Sequence, residues 1–215
     1  MKFIVAYALV VLGASSALAA VVPRSGDQLT CKEGNSIRPL KWHESSGDRN
    51  HGYLSFSNVK DSQGRPIATK LESDGSPAKP VNFTFSYCSA PDGKQGWMGY
   101  GKGEHSNGRL YGHVQLESDK SKCLTVTGLK TKGIHFALDD CHTEDSSIQL
   151  YQFFVEATNG ITIGFLGSKN GTTDQHYRTS LGSDKGNPLQ LDYVGKDYVD
   201  SPIFINWRTP PGEDE

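Results

Sequence analysis

The sequence predicts an all-β protein organised as a three-fold internal repeat. Its apolar residues fall in short alternating runs, and no helix-period run of useful length competes with them. Glycine is frequent, at 24 residues, while methionine is scarce, at two, as suits many short strands joined by turns. A spacing of 53 residues recurs: Cys88, Cys141 and Val194 close three similar segments at that interval.

Taken in chain order, the first segment reads as a leader. Lys2 supplies a positive start, Phe3 to Leu12 an apolar run, and Ala17-Leu18-Ala19 a small-residue cleavage site. Residues 1–19 are therefore expected to be a signal peptide, too short and wrongly flanked for a membrane span. About 196 residues remain, enough for one domain with a full core. Residues 20–50 are expected to form an N-terminal arm, and 209–215 an acidic polar tail without a lipid-anchor signal. The whole chain carries 22 basic and 24 acidic residues, a net charge of −2, and no Lys/Arg cluster longer than two. That balance argues against a nucleic-acid partner.

The three segments are Val81–Cys88, Ile134–Cys141 and Asn187–Val194. Phe83, Phe136 and Leu189 align, as do Phe85, Leu138 and Leu191, with alternate side chains on one face as a half-buried strand requires. Upstream, Cys123-Leu124 falls at the offset of Lys70-Leu71 and of His176-Tyr177. Downstream, Phe154 and Trp207 are again 53 apart, with Trp97 in that role in the first copy. Each copy opens on a strand-like run, Tyr53–Phe56, Leu110–Leu116 and Ile161–Leu166. Asn107-Gly108 and Asn159-Gly160 act as turn signals before the second and third. One such unit cannot bury its own apolar face, so three of them imply a closed all-β architecture.

Four cysteines, Cys31, Cys88, Cys123 and Cys141, allow three disulfide connectivities in an oxidising compartment. No C-x-x-C or H-x-x-x-H spacing favours a metal. Cys123 and Cys141 stand at the two ends of one repeat, and Lys70 occupies the place where Cys88 would find its partner. The register therefore implies Cys31–Cys88 and Cys123–Cys141. Asn82-Phe83-Thr84 and Asn170-Gly171-Thr172 are glycosylation sequons, at Asn82 and Asn170.

Lys122-Cys123-Leu124-Thr125-Val126, Leu138-Asp139-Asp140-Cys141 and Gln152-Phe153-Phe154 resemble one repeat of a ricin-B-type lectin. Gln95-Gly96-Trp97 matches the Q-x-W signature of that family, and Ile205-Asn206-Trp207 keeps its aromatic. The resemblance covers about residues 50–208. It implies a β-trefoil of three ~53-residue lobes over residues 51–208, with shallow sugar pockets, one per lobe. In such a pocket an Asp after the first strand bridges sugar hydroxyls and an aromatic ring covers a C–H face. That Asp position falls on Glu72, Thr125 and Arg178, so the first lobe keeps the only carboxylate. Its expected ligand-binding residues are Glu72, Asp74, Asp92, Lys94, Gln95 and Tyr100. Trp97, Phe154 and Trp207 are expected in the core, and Gln95 and Gln152 on backbone groups.

No nucleophile-elbow, zinc-protease, P-loop or dinucleotide motif is present. The seven histidines are scattered, and Asp139, Asp140, Glu144 and Asp145 read as a solvated acidic loop rather than a hydrolytic pair. The expectation is a secreted, extracellular carbohydrate-binding module without catalytic activity, cofactor or metal, whose partners are glycans or glycoproteins. The alternative is a β-trefoil protease inhibitor or other protein-binding effector. It would present the glycine-rich Asp92–Asn107 segment, or Gly167–Asp174, to a protease or another extracellular protein. A wall or surface role is a third possibility.

Overall fold

Period-two alternation makes strands, and each strand must find neighbours for its N–H and C=O groups. The computed structural model describes residues 28–45, 51–56, 58–91, 96–99, 109–157, 162–169, 177–195 and 203–207. The leader and the tail lie outside them, as do Asp92, Lys94, Gln95, Tyr100 and Asn170. Among the described residues the fold is all-β and antiparallel, with one short 3-10 helix, Ser147–Tyr151, and no α-helix. The strands are β1 (Thr30–Pro39), β2 (Lys41–Glu44), β3 (His51–Tyr53), β4 (Asn82–Ser89), β5 (Arg109–Leu116) and β6 (Lys122–Val126). They continue with β7 (Ile134–Asp140), β8 (Phe154–Ala157), β9 (Ile163–Phe165), β10 (Tyr177–Leu181), β11 (Leu189–Tyr193) and β12 (Ile203–Asn206).

A nine-stranded sheet runs β1-β4-β5-β6-β7-β11-β10, with β8 joining β5 to β9. A second sheet orders β12-β2-β3. The two sheets meet where β1 passes into β2 through the fully buried Leu40, and where Thr162, beside β9, bridges Asn206 of β12. The segment expected to be an arm thus supplies β1 and β2, which pair with β4 and β12.

Three segments are bridged in a cycle, and Val81–Cys88 is not one of them. Ile67 bridges Ala137, His135 pairs with Gln190, and Pro188 bridges Thr69. Each of three segments therefore offers the same two positions, one to each neighbour. Residues 67, 135 and 188 are equivalent, spaced by 68 and then 53. Ala68, Phe136 and Leu189 sit between them, all buried. The Ala68 N–H donates to the Phe136 carbonyl at 2.7 Å and the Leu189 N–H to the Ala68 carbonyl at 2.9 Å. Asn82–Cys88 instead belongs to β4, which pairs with β1 and β5. Its alternation of Phe83 and Phe85 suits any half-buried strand, because a period of two does not say which neighbour the strand will take.

A second shift concerns the strand before each of these segments. Leu124 faces Leu138 in β6–β7, whereas Thr179, not Tyr177, faces Leu191 in β10–β11. The connection in the third copy (182–188, after the Leu181–Leu189 pair) is two residues shorter than in the second (127–135, after Val126–Phe136). A constant offset of 53 cannot hold on both sides of it. Relative to the three bridged segments, Ser55, Thr125 and Ser180 correspond, facing Thr69, Ala137 and Gln190.

β4 divides the interior in two. Phe83 and Phe85 face a main core that also holds Trp42, Leu124, Phe136, Phe154, Leu189 and Trp207. Cys88, on the other face, joins a smaller cluster with Leu29, Ala90, Met98 and Phe153. Each buried Phe or Leu contributes roughly 1.5–3 kcal/mol relative to exposure. The aromatics expected in the core as Phe154 and Trp207 are there, at 1% and 4% exposure. Cys31 is disulfide-bonded to Cys88, directly opposite it across β1–β4, and Cys123 to Cys141.

Candidate functional site

Of the six residues expected around the first lobe, Glu72 and Asp74 lie among the described positions. Glu72 is buried, and its carboxylate is engaged by the chain around it. Oε2 accepts from Asn58 Nδ2 at 2.9 Å and Oε1 from the Lys79 N–H at 3.1 Å. Asp74 caps its own turn by accepting from the Ser76 N–H, and Ser76 holds its carboxyl below the ordinary value. Asp92, Lys94, Gln95 and Tyr100 lie outside the described residues. Trp97 is half-buried against the smaller core, with Lys169 Nζ 4.4 Å over its ring. Asn82 is exposed at the start of β4, while Thr84 of its sequon is buried and donates to the Gly34 carbonyl.

The four acidic residues after β7 also go separate ways. Asp140 pairs with Lys122 at 2.6 Å, Glu144 with His142 at 3.6 Å, and Asp145 accepts the Trp97 N–H at 2.7 Å. Asp139 alone turns to a cavity.

That cavity, of about 240 Å³, lies in the second copy. Strand β6 brings Thr125 to it, Thr127 follows, β7 brings Asp139, and the 3-10 helix brings Tyr151. Gln63 and Arg65 reach in from the first copy. They come from a tight turn built on Asp61, whose Oδ1 accepts the N–H groups of Gln63 and Arg65, both at 2.9 Å. The Arg65 guanidinium donates through Nε to Asp61 Oδ2 at 2.8 Å and through a terminal nitrogen to Asp139 Oδ2 at 3.1 Å. Burial pushes the Asp61 carboxyl up, but these hydrogen bonds outweigh it and hold the group below its ordinary value. Burial likewise works against the Arg65 charge, and the two carboxylates more than offset it.

Gln152, at the floor, is buried and spends its amide on backbone. Its Oε1 accepts from the His142 N–H at 2.9 Å and its Nε2 donates to the Asp140 carbonyl at 2.6 Å. Thr125 Oγ1 donates to the Tyr151 carbonyl at 3.2 Å, tying β6 to the helix that carries the ring. Asp139 is a third exposed in its side chain. It accepts from Arg65 and from the Asp140 N–H, two of the roughly four hydrogen bonds that a carboxylate can take. The site therefore offers an acceptor, a cation, hydroxyls and an aromatic ring around one small space.

The other two copies differ. Position 192 is the counterpart of Asp139, but Asp192 accepts from the Gly133 N–H at 2.9 Å and from Ser180 Oγ at 3.1 Å, with Arg178 at 3.8 Å. In the first copy the equivalent position is Leu71. The strand pairing matches Thr125 with Ser55 and Ser180 rather than with Glu72 and Arg178. Arg65 was invisible to sequence reasoning, because it enters the second copy's cavity from a turn in the first. No family model, curated protein or solved structure matches the chain, and its functional reading rests on this geometry.

Proposed function

We propose that the chain is a secreted, non-catalytic glycan-binding module of the ricin-B type. It would be built as a β-trefoil and bind one sugar residue in the cavity of its second lobe. Support for the trefoil comes from the cyclic bridges 67–137, 135–190 and 188–69, and from the succession β1-β4-β5-β8-β9-β12-β2. In a trefoil that succession is the six-stranded barrel, with β1 and β2 as a single bent strand, and the three hairpins cap it. Two disulfides suit an oxidising compartment and so favour secretion.

The observation that carries the binding reading is the Asp139 carboxylate, held by Arg65 beside Tyr151 in a polar space of about 240 Å³. That is smaller than the roughly 300–1,000 Å³ of pockets for drug-sized ligands, and suits a single sugar ring. Asp139 would bridge adjacent hydroxyls, Thr127 and Arg65 would add polar contacts, and Tyr151 would cover a C–H face. The inhibitor alternative rests on segments 92–107 and 167–174, most of which lie outside the described residues.

A glycan array followed by calorimetry on the best hit tests this. Asp139→Ala and Tyr151→Ala should each weaken binding by about 10-fold or more, the equivalent of one charged hydrogen bond or stacking contact. A folded wild-type protein that binds no glycan overturns the function. Sugar binding unchanged in both variants overturns the site.

A further inference from the structure

We propose that Cys31, Cys88 and His113 form a latent zinc-type metal site, which opens when the Cys31–Cys88 disulfide is reduced. The three residues come from adjacent strands β1, β4 and β5, none of them lines the second-lobe cavity, and the inference does not depend on the glycan reading. Cys31 stands opposite Cys88, and His113 opposite Ser86, two residues along. No linear spacing could reveal such a set, because its members are brought together only by strand pairing.

The orientation of the imidazole is fixed from behind. Gln149 is fully buried, and its Nε2 donates to the carbonyls of His142 and Glu144, both at 2.9 Å. Its Oε1 must therefore accept, and the donor 2.7 Å away is the His113 Nε2–H. Nδ1 is left with a lone pair and no proton. It points at Cys88 Sγ at 3.6 Å and Cys31 Sγ at 3.9 Å, and disulfide-bonded sulfurs carry no hydrogen to offer it. A buried acceptor facing no donor is costly. The same arrangement is what a metal-bound histidine needs: one nitrogen anchored by a fixed acceptor, the other aimed at the metal.

The distances also fit. Zinc bonds of about 2.3 Å to sulfur and 2.0–2.1 Å to nitrogen put tetrahedral sulfur and nitrogen ligands roughly 3.6 Å apart, and two sulfurs roughly 3.8 Å apart. The nitrogen–sulfur separations already match, and all three ligand atoms lie within 4.8 Å of one another. Only the two sulfurs must part. Cys88 and His113 are buried, while Cys31 is half-buried and gives a reductant its approach. A small dithiol would break the S–S bond, deliver two hydrogens as S–H groups and leave as its own cyclic disulfide. One zinc ion then displaces the two thiol protons, forms two Zn–S bonds and one Zn–N bond, and keeps a water in the fourth position.

The test reduces the full chain anaerobically with a phosphine, which does not compete for the metal, and titrates it with Co²⁺. The expected result is one Co²⁺ per chain with thiolate charge-transfer and tetrahedral absorption bands. Zn²⁺ should shield Cys31 and Cys88, but not Cys123 and Cys141, from alkylation mapped by mass spectrometry. Gln149→Met should weaken the metal about 10- to 100-fold by releasing the ring, and His113→Asn should abolish the tetrahedral bands. Absence of uptake, or equal uptake by the His113→Asn protein, overturns the proposal. If reduction unfolds the chain, Zn²⁺ must restore its β circular dichroism, and failure to do so overturns the proposal as well.

Discussion

Asp61 shows how one exposed-looking turn residue reaches the candidate site. It orders the turn through two N–H groups and holds Arg65, which in turn holds Asp139. Its carboxyl lies below the ordinary value of 3.8 in the folded chain. The unfolded chain therefore takes up that proton first as pH falls, and the stability that Asp61 contributes, present above the unfolded value, is lost on passing down through the folded one. Urea unfolding from about pH 5 to about pH 2 should show a shallower acid limb for Asp61→Asn than for the wild type; superimposable limbs would remove Asp61 from this role. The sequence marked Asp139 only as one of four acids, and it could not separate them. Arg65, Lys122 and the Trp97 N–H are partners chosen by tertiary contacts, while Glu144 takes its near neighbour His142. The place of Glu72 was hidden for a similar reason: its carboxylate fastens residues 58 and 79.

Among the elements, β5 carries the densest set of constraints. It pairs with β4 along Gly112–Leu116, with β8 along Arg109–Gly112 and with β6 at Gln115. Gly112 lies where β4 and β8 both approach, and a Cβ there would stand 1.9 Å from the Ser86 carbonyl oxygen. Gly112→Ala must push β4 away from β5 and disturb the ladder that sets Cys88 beside His113. We expect it to cost at least about 3 kcal/mol, beyond ordinary overpacking, or to prevent folding; a denaturation midpoint within error of the wild type would contradict this. At this scale the sequence was informative about strand type and much less so about partners. Phe83 and Phe85 alternate as clearly as Phe136 and Leu138, yet one pair lies in a strand between β1 and β5 and the other in a hairpin with β6. The two cysteine pairings were nevertheless reached, Cys123–Cys141 from the two ends of one repeat and Cys31–Cys88 by elimination.

At the scale of the molecule, the second and third segments were legible because β7 and β11 keep a 53-residue spacing. The first was not, because its spacing to the second is 68 and its central side chain is Ala68 where the others have Phe136 and Leu189. That asymmetry gives Phe136 an outsized part. It is the largest of three side chains packed where three segments meet, and its carbonyl accepts the Ala68 N–H. Neither Ala68 nor Leu189 has the volume to fill the space that its ring would vacate. Phe136→Ala should cost about 3–5 kcal/mol through lost burial and the residual cavity. The damage should not stay in its own hairpin, because each segment is hydrogen-bonded to the next around the ring. Hydrogen exchange on this variant should show protection falling together at 67–69, 134–137 and 188–190, while the β1–β4 ladder far from the junction keeps more of its own. Loss confined to 134–137 would mean that the three segments are stable separately and that the cyclic contacts add little. A joint loss would show that the three-fold junction, rather than any single repeat, is the cooperative unit of the fold.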